Sequence, residues 1–271
     1  MPTTLTIPLA TTERLFFDED WPLESLFLDT LDRIQVSKLL HQKNNLKSYT
    51  LSPVWQQRQQ GVPVSEKSDL NQYRWRVCLL DDSLTPHVLE GLEATQTLNL
   101  NNHVLAVEQV EVETLTYEQF VQKAQARAKA KAGRFFDLEF VTPVILHRHS
   151  IPFPLPDPVQ VFHHYLLAWD TFAPRELWVN INVLDAIEAH LALVEYQLET
   201  RQVKPAGKRS QTGFLGQVTY KMMAWEKLGM EFLGTLHTLA RFAEFCGTGE
   251  LTECGLGQTR YLQRGKKKRN D

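Results

Sequence analysis

From Phe232 the chain runs F-L-G-T-L-H-T-L-A-R-F-A-E-F-C, and its apolar residues Phe232, Leu233, Leu236, Leu239, Ala240, Ala243 and Phe245 recur at helical spacing. The pattern stops at Gly247, and Gly249, Gly255 and Gly257 follow before Thr259 and Arg260. A chain with this segment must deliver a helix into a loop of unusual backbone. Glycine reaches positive φ and admits a second backbone where a Cβ would otherwise stand. Such a loop can turn its amides toward a phosphate chain, or it can be a helix stop followed by a turn into a strand. It is not a nucleotide fingerprint. No third glycine follows Gly249 at the dinucleotide spacing, and no Gly-Lys-Ser/Thr closes a phosphate loop.

Upstream, one order of elements occurs twice. Residues 5–8 and 15–17 are strand-like, and Leu23, Leu26, Phe27, Leu31, Ile34 and Leu39 suit a helix over 22–40, with Pro22 tolerated in its first turn. Residues 49–54 and 73–80 read as strands on either side of a polar connection over 56–70. Residues 84–98 read as a helix and 103–112 as a strand. That order, strand, helix, strand, strand, helix, strand, is the ferredoxin-like arrangement. Residues 117–132 are rich in Ala, Gln, Lys and Arg and predict an exposed linking helix that Gly133 ends. A second series then begins: a strand over 136–146, a helix over 157–172 and helical material over 184–194. Strands over 195–203 and 214–223 are joined by the basic hairpin K-P-A-G-K-R-S-Q-T-G, and the glycine-bearing helix and a last strand over 256–262 complete the set. The expectation is an α+β fold of two tandem ferredoxin-like, RRM-like domains with a C-terminal glycine-rich loop. The first domain would span residues 1–120, a linker 121–134 and the second domain 135–271.

Hydrophobic content of 43% and 23% charged residues fit a globular protein, and no run of about 18 apolar residues is present to span a bilayer. The start M-P-T-T-L-T-I-P-L lacks the basic and apolar blocks of a signal peptide, so a cytoplasmic address is expected. Cys78, Cys246 and Cys254 form no C-x-x-C pair, which argues for free thiols and against a disulfide framework or a cysteine zinc site. The formal net charge is -3, yet residues 201–271 hold 13 of the 29 Lys/Arg and only 6 of the 32 Asp/Glu. A polyanion would be drawn to that C-terminal part, and the acidic remainder would limit non-specific binding.

Of the nine histidines, His147 and His149 would share one face of a strand, the spacing of a two-histidine metal site or simply of a strand end. His163 and His164 are adjacent on a helix and cannot share a face, and His237 lies on the apolar helix as a core histidine would. His41 follows the first helix, and Lys47 stands six residues on, ahead of a strand. Metal-free RNA cleavage needs a base for the ribose 2′-hydroxyl, an acid for the leaving 5′-oxygen and a cation for the phosphorane. Histidine and lysine suit those tasks. The other reading is a histidine on a helix dipole with a solvated lysine beyond it.

Two segments carry a family resemblance. L-x-R-F-A-E-F-C-G-x-G over 239–249 followed by G-L-G-Q-T-R over 255–260 resembles the C-terminal signature of the CRISPR-associated repeat-RNA endoribonucleases, within the repeat-associated RNA-binding superfamily. L-L-H-Q-K-N-N-L-K-S-Y-T-L-S over 39–52 is similar to the segment that carries that family's catalytic histidine and lysine, which fall on His41 and Lys47. The resemblance implies cleavage of CRISPR precursor RNA within its repeat, without metal or cofactor, by 2′-hydroxyl attack, leaving a 2′,3′-cyclic phosphate and a 5′-hydroxyl. It implies RNA contacts from Lys204, Lys208, Arg209 and Arg260 and close approach at Gly247, Gly249, Gly255 and Gly257. It also implies a guide RNA handed to, or kept within, an interference complex. One departure stands out: some members carry a tyrosine in the first helix, and S-L-F-L-D-T-L has none here. The alternative reading is a non-catalytic RNA-binding subunit of such a complex. A rival of another class is a metal-dependent hydrolase centred on His147 and His149.

Overall fold

The computed structural model describes residues 1–15, 22–32, 46–56, 71–130 and 133–262. In the N-terminal half, β1 (Thr3–Thr11), α1 (Leu23–Asp32), β2 (Tyr49–Gln56), β3 (Asn71–Leu79) and α2 (Thr85–Glu93) are followed by β4 (Thr97–Leu100), β5 (His103–Val107) and β6 (Glu111–Thr114). The strands run antiparallel in the order β2-β3-β1, and the far side of β1 is covered by β5 at Leu9 and Ala10 and by β6 from Thr3 to Thr6. Leu9 pairs with Val107 and Thr6 with Glu111, a register slip of one residue, so β5 and β6 act as one fourth strand broken by a bulge. This is the expected ferredoxin-like sheet with one addition. The helix expected over 84–98 ends at Glu93, and residues 97–100 become β4 instead. Thr97 and Asn99 face out while Leu98 and Leu100 face in, a period of two that overrides the helical reading. Asn101 and Asn102, with φ of 47° and 70°, make the tight turn into β5; asparagine tolerates this left-handed backbone, which matches the twist of a hairpin.

The next helix departs from expectation. α3 (Tyr117–Ala128) starts at a capping box formed by Thr116 and Gln119, but it is not an exposed connection. Tyr117, Phe120, Ala124 and Ala128 form one buried face, and Phe120 lies edge-on to Phe242 and Phe245 of the long C-terminal helix at 5.8 and 5.2 Å between ring centroids. Only two of these four residues are large. The alanines let the helices approach closely, so little hydrophobicity was needed to bury the face.

The C-terminal half holds β7 (Phe135–Val144), a short hairpin of β8 (His147–Arg148) and β9 (Ile151–Pro152), α4 (Pro158–Phe172), α5 (Val183–His190), β10 (Leu191–Val203), β11 (Gln211–Met222), α6 (Trp225–Cys246) and β12 (Thr259–Leu262). Its sheet runs β10-β11-β7-β12, all antiparallel, the same ferredoxin-like order as before. Asp157 caps α4 by accepting from the Gln160 amide, with Pro158 in the first turn. The helix expected over 184–194 gives way to β10 at Leu191. In α6, Gly229 at φ 84° and ψ 170° interrupts the helix, and beyond it Leu233, Leu236, Leu239, Ala240, Ala243 and Phe245 are buried as the sequence pattern required, while Phe232 is half-buried and Phe242 joins the buried face. Among the described residues no helix is long and apolar enough to cross a membrane.

The two halves meet at the C-terminal end of α6. A helix leaves its last carbonyls without partners inside the helix. Here the N-terminal sheet supplies them: Thr50 Oγ1 donates to the Phe245 carbonyl at 2.8 Å, and Arg76 Nη1 to the Glu244 carbonyl at 2.8 Å. The Arg76 charge also sits favourably at the negative end of the helix and lies 5.7 Å from the Phe245 ring centroid.

Candidate nucleic-acid interface

The glycine-rich loop is built inward from its own hydrogen bonds. The Gly247 amide donates to Ala243 O and closes the helix, Thr248 N donates to Gly257 O, and Gly257 N donates to Pro143 O. The Thr248 hydroxyl lies 2.6 Å from both Tyr165 Oη and Thr259 Oγ1, in a fully buried knot. All four glycines are buried at positive φ. A Cβ would stand 2.3 Å from Ile145 O at Gly249 and 2.1 Å from Thr248 O at Gly257, and at Gly255 it would meet Leu23 and Pro53 of the N-terminal half. The loop is therefore glycine-rich because protein backbone packs against it. The amides of Gly247 and Gly257, which a phosphate chain might have taken, already have partners.

What the loop does is hold the two sheets in register. Gln258 N donates to Thr142 Oγ1, and Gln258 Nε2 crosses to Leu51 O of β2 at 3.0 Å. Leu256 joins Ile145 and Val203 in a small buried cluster, and Val203 is the residue from which the basic hairpin springs. Lys204, Lys208 and Arg209 are exposed on that hairpin, whose turn has Gly207 at φ 72° with open space around it.

Opposite the loop, the start of α1 and the start of β2 contribute a polar cluster. Lys47 Nζ lies 3.2 Å from Glu24 Oε1, both side chains being about one quarter exposed, at 24% and 22%. Tyr49 donates its hydroxyl to the same carboxylate oxygen at 3.4 Å, and the Cys254 thiol faces Glu24 Oε2 at 4.0 Å. Burial, then the Glu24 charge, raises the Tyr49 hydroxyl far above its ordinary range. Burial, followed by Glu253 and Glu24, pushes the Cys254 thiol up to about 12. The Glu253 carboxyl is also raised by burial and by Glu24, while Lys47 and Lys208 draw it down. Lys47 and the hairpin's Lys208 thus both act electrostatically on one carboxyl. Sequence reasoning missed Glu24, Tyr49, Glu253 and Cys254, because an acidic residue in a first helical turn and a buried strand tyrosine are ordinary features of any fold.

Glu24, Glu253 and Cys254 bring three potential metal-ligand atoms within 4.8 Å of one another. The set suits a cation poorly: the thiol is held neutral, and the Lys47 ammonium already stands on Glu24. The histidine pair on residues 147 and 149 does not share a strand face. His149 sits in the β8–β9 turn at φ 58°, while His147 Nδ1 pairs at 2.8 Å with Glu250, a loop carboxylate that sequence proximity did not reveal. Burial lowers His164 to about 4. His237 is a satisfied core histidine, with Nε2 donating to Gly133 O at 2.6 Å and Nδ1 bonded to Tyr261 Oη. Arg260 stands apart on β12, 63% exposed and paired with Glu139 Oε2 at 3.2 Å. His41, the proposed base, lies outside the described residues.

Residues 138–259, from β7 to the first residue of β12, match the family model of the CRISPR-associated endoribonuclease Cas6. The structure is similar to a Cas6 (TTHB231) product complex, with 21% identity, a TM-score of 0.75 and coverage of 97% of this chain and 100% of that one. It is similar to Thermus thermophilus Cas6 at 21% identity and a TM-score of 0.72, over 97% and 98% of the two chains. To the product of a Cas6-related gene from Pyrococcus furiosus it has 13% identity and a TM-score of 0.57, over 97% and 100%. No curated protein matches the chain. At these identities the structural likeness carries the fold: two ferredoxin-like units in tandem along the whole chain. Residues 138–259 thus match the family of the CRISPR repeat-RNA processing endoribonucleases, Cas6, and the fold of the chain is similar to that of Cas6 structures.

Proposed function

We propose that this chain is an endoribonuclease that binds the repeat of a CRISPR precursor RNA and cuts it without metal, using His41 and Lys47. The observation that carries the reading is the position of Lys47 at the junction of the two halves. There it is ion-paired with Glu24, whose other carboxylate oxygen faces the Cys254 thiol of the glycine-rich loop at 4.0 Å, and both it and hairpin Lys208 act electrostatically on Glu253. The neighbouring folds include Cas6 proteins solved as a product complex and as a substrate-mimic complex, which supports an RNA substrate.

In this reading Lys204, Lys208 and Arg209 on the hairpin hold the RNA backbone, and Arg260 on the sheet adds a further phosphate contact. Gly247, Gly249, Gly255 and Gly257 shape the loop that fixes the hairpin against the N-terminal unit. That unit spans residues 1–120 and the RNA-binding unit 135–271. His41 removes the 2′-hydroxyl proton, the 2′-oxygen attacks the adjacent phosphorus, and the Lys47 ammonium offsets charge on the phosphorane. The P–O5′ bond breaks as the 5′-oxygen takes a proton from water or from the His41 imidazolium, giving a 2′,3′-cyclic phosphate and a 5′-hydroxyl. Glu24 acts as a positioning residue that aims the lysine. The product RNA passes to, or stays within, a cytoplasmic interference complex.

The test is cleavage of a labelled repeat hairpin in excess EDTA, with His41→Ala and a substrate bearing a single 2′-deoxy at the cut as controls. Cleavage that survives EDTA and disappears with either change supports the mechanism. Binding without cleavage moves the reading to an RNA-holding subunit, and absence of binding to the cognate repeat overturns it.

A further inference from the structure

Away from the Lys47 cluster, a cavity of about 320 Å³ opens between α3, α6 and β12. Its polar wall is Lys123 and Arg127 of α3, His237 and Arg241 of α6 and Tyr261 of β12, and among the described residues no carboxylate lines it. Lys123 is at the exposed rim. The Arg127 guanidinium bonds the Tyr261 hydroxyl, but its Nε and Nη2, and Nε of Arg241, are buried with no hydrogen-bond partner among the described residues. Each unsatisfied buried donor is costly, more so when charged, and native structures rarely leave several together. His237 contributes no charge of its own. Both of its ring nitrogens are bonded, and burial lowers it to about 4. Glu244 is the nearby carboxyl. It interacts with Arg241 and Arg76 but is engaged by the Tyr261 amide at 3.3 Å and is not part of the wall.

Two guanidiniums and an ammonium converging on a carboxylate-free cavity match the charge and bidentate geometry of a tetrahedral oxyanion. We propose that this cavity binds a phosphate group, gripped by Arg127 and Arg241 and closed at its rim by Lys123. The buried guanidinium nitrogens are not open to water where they stand. Binding requires the outer torsions of each arginine to turn as phosphate arrives, so that the ligand supplies the acceptors these nitrogens lack. The phosphate can be one diester of a bound RNA strand or a free phosphate ester; the chemistry of the grip is the same. Nothing in it depends on His41, Lys47 or RNA cleavage.

The experiment is thermal unfolding of the full chain in millimolar phosphate against chloride and against acetate at equal ionic strength. The wild type, Arg127→Gln, Arg241→Gln and the rim variant Lys123→Gln are compared, with circular dichroism verifying that each is folded. Phosphate is expected to raise Tm in the wild type more than either control anion. The phosphate affinity should fall about tenfold or more when either arginine is replaced, and less for Lys123→Gln. No phosphate-specific shift in the wild type, or a shift retained in both arginine variants, overturns the proposal. The source follows from a second arm that measures binding of the labelled repeat hairpin. If phosphate competes with the RNA and Arg241→Gln weakens RNA binding, the ligand is a strand phosphodiester. If phosphate binds and RNA affinity is unchanged, it is a free phosphate ester.

Discussion

Lys47 and Glu24 form an ion pair of 3.2 Å that ties the segment just ahead of β2 to the first turn of α1. The pair is three-quarters buried, so the ammonium is held in one place rather than sampling solvent, and its charge is partly neutralised until a phosphate arrives. Removing the lysine and removing the carboxylate should therefore differ. Lys47→Ala is expected to lower the single-turnover cleavage rate by at least about a hundredfold while RNA affinity changes only a few-fold, since its charge acts on the phosphorane. Glu24→Gln makes the junction more positive and frees the lysine. RNA should bind as tightly or more tightly, and the cleavage rate should fall about tenfold from lost aim. Equal loss of binding and rate in both variants would deny Lys47 a catalytic role.

Gln258 and Leu51 form the one side-chain bond described from the glycine-rich loop to a carbonyl of the N-terminal sheet, at 3.0 Å. Leu51 is fully buried, so its carbonyl has no access to water when the amide is removed. Gln258→Ala should destabilise the fold by about 1–3 kcal/mol. Urea unfolding followed separately by tryptophan emission and by far-ultraviolet dichroism measures this. If the loop couples the halves, the two transitions coincide in the wild type and separate in the variant.

Much of the framework could be read from residue pattern. The strand-like stretches over 73–80 and 136–146 and the apolar face of α6 each fix one element, and two antiparallel sheets in the 2-3-1-4 order follow from the repeated element series. Where reading failed, tertiary contacts outweighed composition. α3 looked soluble because its buried face uses alanine, and β4 looked helical because four residues are too few to declare a period. The glycine motif was visible, but its cause was not: only the fold shows Ile145 O and Thr248 O occupying the places of two missing side chains. Glu24 and Glu253 are about 230 residues apart in a chain of 271 and meet only because the two units pack loop to helix.

His237 is fully buried and neutral, with its value lowered from 6.5 to about 4 mainly by burial, an effect that Arg127 strengthens and the Gly133 carbonyl opposes. In the unfolded chain the imidazole takes a proton near its ordinary value, whereas the folded chain resists it. The stabilisation from keeping it neutral is complete above about pH 6.5 and is lost as pH falls toward about 4, amounting to about 3 kcal/mol over that window. The unfolding midpoint should drop over this range by more in the wild type than in His237→Gln, whose amide can still donate to Gly133 O. An identical pH dependence in both would mean that other groups set the acid limit.

Gly257 and Gly207 share a positive φ, 65° and 72°, but differ in surroundings. At Gly257 a Cβ would lie 2.1 Å from Thr248 O, inside the knot that seats the loop. At Gly207, on the tip of the basic hairpin, it would meet nothing within 4 Å. Gly207→Ala therefore carries only the left-handed backbone cost of about 1 kcal/mol and should leave the fold intact. Gly257→Ala adds a collision with main chain that no side-chain movement relieves, and a loss above about 3 kcal/mol is expected. Denaturation midpoints of the two variants separate these terms, and RNA binding by folded Gly207→Ala isolates the hairpin. If Gly257→Ala proves no less stable than Gly207→Ala while losing RNA affinity, the loop's glycines serve the ligand directly. If stability falls as expected and any binding defect is restored under stabilising conditions, they serve the fold that presents Lys204, Lys208 and Arg209.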